Sequence, residues 1–122
     1  MDIYAQNILD HYKNPRNKEA LTRADLAFYE KNQSCGDELT VFLKLSGQKI
    51  STIKYLGQGC AISQASISIL SEKLVGDNVA KVLKYKFTDI IKILGVPISE
   101  RRENCAMLGL RAIQKAIDKS SC

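Results

Sequence analysis

Apolar and polar positions follow two periods along this chain, and the change of period marks its parts. Near the start, Ile3, Ile8, Leu9 and Tyr12 share one helical face. They predict an amphipathic helix ending at Asn14-Pro15, because the residue before a proline is pushed out of the helical region. Arg16 to Asp25 is polar and reads as a loop with a helical turn. Strand-like segments follow: Ala27 to Asn32, then Leu39 to Leu45 with Val41, Leu43 and Leu45 on one face, then Ile50 to Leu56. Ser46-Gly47-Gln48-Lys49 between the last two is a hairpin turn signal, so the three strands form an antiparallel meander.

After Gly57 and Gly59 the helical period returns. From Ala61 to Val75, Ile62, Ala65 and Ile69 adjoin a second stripe of Ile67, Leu70 and Leu74, which predicts a largely buried helix. Gly76-Asp77-Asn78 ends it and caps the next. Val79 to Leu83 and Thr88 to Leu94 are shorter helical pieces, and Gly95-Val96-Pro97 is a turn. Ser99 caps a long last helix whose core face is Ala106, Leu110, Ile113 and Ile117. The fold class is α+β: a three-stranded antiparallel sheet with helices packed on one face.

Composition narrows the function. With 122 residues, 45% of them hydrophobic, residues 1–122 form a single domain with an ordinary packed core. The net charge of +5 is scattered rather than gathered into a stripe with interleaved aromatics, so nucleic acid is not an expected partner. An acidic protein partner or solubility accounts for the charge equally well. No apolar run approaches the roughly 18 residues needed to span a bilayer, and the start does not read as a secretion signal. A cytoplasmic protein with reduced thiols is the expectation.

Three segments then carry the chemistry: Cys35-Gly36-Asp37, Gly57-Gln58-Gly59-Cys60, and Arg102-Glu103-Asn104-Cys105. Three sulfurs and a carboxylate complete a tetrahedral set for a soft or borderline metal, with the oxygen as the exchangeable member. Cys35 and Asp37, two apart in extended chain, point the same way. Cys60 stands where a strand meets a helix, and helix-start amides favour the anionic thiolate. Cys105 follows Arg102 by one turn, within reach of its charge. Cys122 is terminal and is not expected to ligate; His11, the single histidine, is expected at the surface. No pair forms a C-x-x-C, so each thiol also has a plain reading as a packed side chain.

The strings themselves are more specific than their spacing. His11-Tyr12-Lys13-Asn14-Pro15-Arg16-Asn17, Cys35-Gly36-Asp37, Gly57-Gln58-Gly59-Cys60-Ala61-Ile62-Ser63-Gln64-Ala65-Ser66 and Cys105-Ala106-Met107-Leu108-Gly109 resemble the iron–sulfur cluster scaffold family of IscU, SufU and the NifU N-terminal domain. The resemblance implies a site of Cys35, Asp37, Cys60 and Cys105 that holds a transient [2Fe-2S] cluster or a zinc ion. It implies sulfur delivered as a persulfide by a pyridoxal-phosphate (PLP) cysteine desulfurase, with Cys35 and Cys105 as candidate acceptors, and cluster transfer to apo iron–sulfur proteins. The alternative it carries is a zinc-dependent sulfurtransferase. A monomer or weak homo-oligomer is expected. Asn104 stands where IscU-type members have histidine, and Glu100-Arg101-Arg102-Glu103 replaces their proline-containing chaperone-recognition stretch, as in SufU. The short interval from Cys60 to Cys105, without an insertion, is IscU-like.

Overall fold

The structure, a computed structural model, describes residues 3–32 and 36–120, with backbone alone for Ile3, Tyr4, Ala5, Arg101 and Ser120. Strands β1 (Leu26–Lys31), β2 (Glu38–Ser46) and β3 (Lys49–Gln58) form one antiparallel sheet in the order β1-β2-β3. Phe28 lies opposite Val41, and Val41 opposite Tyr55. Side-chain alternation sends Leu39, Val41, Leu43, Ile53 and Tyr55 to the same buried face. Each such aliphatic side chain contributes about 1.5–3 kcal/mol through burial. Leu45, expected on that face, is half-buried, because the ladder slips between Lys44 and Leu45 and re-aims the end of β2.

Helices α2 (Ala61–Lys73) and α5 (Glu103–Ser120) cover this face; α3 (Val79–Leu83) and α4 (Phe87–Leu94) fill the connection between them. Helix α2 is buried from Ser63 through Ser71, on every side, as its double apolar stripe predicts. Its serines serve close packing: Ser66 Oγ donates to the Ala106 carbonyl of α5 at 2.8 Å. On α5, Ala106, Leu110, Ile113 and Ile117 are all buried. Asn78 caps α3 by accepting from the Ala80 amide at 2.9 Å. The segment from Arg16 to Asp25 contains no helical turn and runs as bends and a short turn. Among the described residues, no helix is long and apolar enough to cross a membrane.

Helix α1 (Ile3–Lys13) lies on α2 with a different face from the one its apolar residues suggest. Leu9 and Tyr12 are 39% and 46% exposed, whereas Ile8 and His11 are buried at 8% and 6%. The surface position expected for His11 is therefore incorrect. The cause is the polar stripe on α2, where Ser68 and Ser71 need hydrogen-bond partners once buried. Ser68 Oγ accepts from the Arg16 amide at 3.0 Å and stands 2.7 Å from His11 Nδ1. The other ring nitrogen of His11, Nε2, faces Glu72 Oε1 at 3.8 Å. Asn17 continues the seam, donating to Ser71 Oγ at 2.9 Å while its carbonyl accepts from the Tyr55 amide at 3.1 Å.

Burial, followed by the positive charge of Arg16, holds the His11 imidazole below its ordinary value of 6.5, against weaker opposition from Glu72 and Asp10. The folded state thus prefers the neutral ring, and between that lowered value and 6.5 the unfolded chain binds more protons. The stability that follows is fully present above 6.5 and falls as the pH drops through the folded value. His11→Gln removes this dependence: thermal melts at about pH 7.5 and about pH 5 are expected to differ less for the variant than for the parent. The variant also melts lower at the higher pH, by an amount corresponding to about 1–3 kcal/mol for a disturbed buried hydrogen bond.

Candidate metal centre

The site begins with sheet register. Glu38 pairs with Gln58, so the chain entering β2 lies beside the chain leaving β3. Asp37 is the residue before β2 and Cys60 the residue before α2, and the pairing brings them together across 23 positions of sequence. Asp37 is 4% exposed, and its Oδ1 accepts from the Cys60 amide at 3.3 Å. Its second oxygen, Oδ2, is buried and has no hydrogen-bond partner among the described residues.

Cys60 occupies the N-cap of α2 with extended backbone (φ −71°, ψ 168°), and its side chain makes no capping bond. Its carbonyl accepts from the Gln64 amide and from Ser63 Oγ, both at 3.1 Å. The helix start is thereby closed without using the thiol. Cys105 comes from the opposite direction, in the first turn of α5 after a 3-10 turn at Glu100–Arg102, and is 4% exposed. Neither Cys60 nor Cys105 is in a disulfide.

One donor atom each from Asp37, Cys60 and Cys105 lies within 4.8 Å of the other two. Tetrahedral coordination at about 2.0–2.3 Å spaces its ligands by about 3.3–3.8 Å, so a side-chain adjustment of about an ångström closes the set on one ion. Two thiols and a carboxylate suit zinc or iron, and the unpartnered Oδ2 is the kind of buried oxygen that a cation satisfies. The residues present fit such a group. Cys35 and Cys122 lie outside the described residues.

Two glycines make the approach possible. A Cβ on Gly59 would stand 2.5 Å from Ser63 Oγ and 2.6 Å from Asp37 Cγ, so only hydrogen at that position leaves the carboxylate where it is. On Gly57 it would meet the Glu38 carbonyl oxygen at 2.3 Å and Leu39 Cα at 2.9 Å, both backbone.

Among the described residues, Asn32 neighbours the site without any sequence signal for it, since its pattern is that of a strand end. It falls just after β1 and is 9% exposed. Its amide nitrogen is 4.0 Å from Cys105 Sγ. Its backbone closes the loop, donating to the Asp37 carbonyl at 2.8 Å and accepting from the Gly36 amide at 2.9 Å. A polar residue followed by two more polar residues carries no pattern that marks it as buried. Arg102, expected to act on Cys105, is exposed in the 3-10 turn.

The family of the NifU-like N-terminal domain matches residues 3–121. This chain belongs to that family. The chain is 31% identical to the zinc-dependent sulfurtransferase SufU of Bacillus subtilis, an alignment covering 96% of this chain and 90% of the relative. It is 27% identical to the iron–sulfur cluster assembly scaffold protein IscU of Thermotoga maritima, covering 98% and 95% of the two chains. Among solved structures, a putative scaffold protein for the SUF system from Fervidobacterium islandicum superposes with a TM-score of 0.81 at 26% identity, covering 92% of this chain and 94% of that one. The NifU-like fold expected from the strings, a three-stranded antiparallel sheet with helices, is the fold observed.

The two glycines of this NifU-like domain predict different losses. Gly57→Ala drives a methyl into backbone and is expected to destabilise the fold by about 3 kcal/mol in denaturant titration. Gly59→Ala meets two buried side chains, Ser63 and Asp37, rather than backbone, and is expected to cost about 1–3 kcal/mol. Its displaced Asp37 lowers zinc affinity by about tenfold or more, as measured by competition with a chromophoric chelator.

Proposed function

We propose that this NifU-like domain is an iron–sulfur cluster assembly scaffold, with Asp37, Cys60 and Cys105, joined by Cys35, as the ligands of its cargo. The observation that carries the reading is the convergence of three donor atoms within 4.8 Å, one of them a buried carboxylate with an unpartnered oxygen. Relatives named as scaffold proteins support it, among them IscU of Thermotoga maritima. A PLP-dependent cysteine desulfurase supplies sulfur, and apo iron–sulfur proteins receive the finished [2Fe-2S] cluster. A reducing, cytoplasmic setting belongs to this reading, since the thiols must stay unpaired to act.

Sulfur enters by exchange. A cysteine thiolate of this domain attacks the outer sulfur of the donor's persulfide; the S–S bond of the donor breaks, its thiolate leaves, and the persulfide now stands on the domain. Cys105, at 4% exposure, needs the first turn of α5 to open before it can take that role, so Cys35 is the first acceptor in this reading. Asp37 is the ligand that keeps the cargo transferable, because a carboxylate binds a sulfide-rich core less strongly than a fourth thiolate would.

The likeness to the zinc-dependent sulfurtransferase SufU favours a second reading, in which zinc stays on these ligands and the domain passes persulfide onward without holding a cluster. Zinc on such a site contributes about 10–16 kcal/mol of apparent binding free energy at neutral pH, so a chelator should lower the melting temperature sharply. Anaerobic reconstitution with iron, sulfide and desulfurase separates the two. Iron and acid-labile sulfide retained in equal amounts is the outcome expected of the scaffold. Stoichiometric zinc, no retained sulfide and faster desulfurase turnover would replace it with the sulfurtransferase.

The role given to Asp37 has its own test. In Asp37→Cys, which puts a fourth thiolate in place of the carboxylate, release of a reconstituted cluster to a strong iron chelator is expected to slow by about tenfold, a barrier change of about 1.4 kcal/mol. An unchanged release rate would remove Asp37 from that role.

A further inference from the structure

On the outer flank of α5, next to the thiol centre, is a hollow of about 230 Å³. Its walls include Glu30, Lys31 and Asn32 at the end of β1, and Asn104, Arg111 and Lys115 on α5. Asn32 belongs to both places: it lines the hollow, and its amide nitrogen is 4.0 Å from Cys105 Sγ. The hollow therefore shares a wall with the sulfur site.

Its charge is one-sided. Among the described residues of its lining, Lys31, Arg111 and Lys115 face one carboxylate, Glu30, whose ion pair with Lys115 leaves Lys31 and Arg111 as the uncompensated charges. Arg111 is half-buried and spends one N–H on Asn104 Oδ1 at 3.0 Å, which orients the guanidinium and leaves its other donors available. A fixed arginine with free N–H groups, flanked by a lysine and two side-chain amides, is suited to grip a carboxylate by two parallel hydrogen bonds. The volume is below the roughly 300–1,000 Å³ of sites for drug-sized ligands and suits a molecule nearer to an amino acid.

We propose that this hollow is a carboxylate subsite that seats a small thiol compound, its carboxylate on Arg111 and Lys31 and its sulfur end toward Asn32 and Cys105. The scaffold and sulfurtransferase readings both leave this hollow unassigned, and binding there does not depend on which of them holds. Its consequence for either is that a free small thiol is held beside the centre instead of meeting it by chance.

The test uses S-methyl-L-cysteine, whose blocked sulfur is a poor metal ligand, titrated into the isotope-labelled full chain and followed by NMR. Saturable shifts are expected at the side-chain amides of Asn32 and Asn104 and at Arg111 Nε–H. The methyl ester of the same compound should bind at least tenfold more weakly, and so should the acid to the double variant Lys31→Gln, Arg111→Gln. Arg111→Lys keeps the charge without the planar fork and should fall between; it also serves if the double variant does not fold. Zinc content, measured alongside, should be the same in parent and variants, which separates this subsite from the metal centre. The proposal is overturned by the absence of saturable shifts, by equal binding of acid and ester, or by binding that the variants leave unchanged. Saturation by N-acetyl-aspartate amide alone would also overturn it, because the hollow would then be a docking point for a protein side chain.

Discussion

The hydrogen bond from the Cys60 amide to the Asp37 carboxylate is the contact on which the arrangement of the candidate metal centre depends. It ties the first turn of α2 to the entrance of β2, and it forms across a glycine whose missing side chain leaves just enough room. An acidic oxygen placed at a helix start is favourable because the first amides of a helix lack partners within it. The same bond consumes only one of the two oxygens. The other is left inside the protein with no partner among the described residues, next to two sulfurs. A carboxylate stabilised on one side and unsatisfied on the other, beside soft donors, is a local arrangement that a cation completes.

The rest of the fold holds this end in place by burying α2 on all sides. Serine and alanine, being small, let the neighbours of this helix come close where larger apolar side chains would hold them apart. The hydroxyls must then be answered, and they are: Ser66 by the α5 backbone, Ser68 by His11 and the Arg16 amide, Ser71 by Asn17. The segment from His11 to Asn17, which resembles the family as a string, is thus the answering half of a polar seam. It fastens α1 and the following loop to α2 and reaches the backbone of Tyr55 in β3.

The thiols arrive on separate elements, and each is held differently. Cys60 is set by the strand-to-helix junction and is half-buried; Cys105 is set by the start of α5 and is nearly enclosed. Asn32 stands between that enclosed sulfur and a cationic hollow, so the polar surroundings of the centre extend along the flank of α5 toward Arg111. Charge that looked scattered along the chain is, in space, partly collected beside the Cys105 thiol.

Much of this was legible in one dimension. Period two at Val41 and Leu43 and period 3.6 in Ala106–Leu110–Ile113–Ile117 are consequences of how side chains leave a strand or a helix, and these residues ended in the core, Leu45 excepted. The donor types were legible as well, because a thiol or carboxylate has its chemistry wherever it lies, and the strings around them are specific to a family. What needed the tertiary structure was everything that depends on a partner distant in sequence. His11 looked like a surface residue because the serines that bury it are on another helix. Asn32 looked like the end of a strand because the sulfur beside it comes 73 positions later. The slip at Leu45 arises in the pairing with β3, and the distance between Asp37 and Cys60 is decided by the same pairing. Residue type determines what a group can do; only the folded chain decides which other groups it does it with.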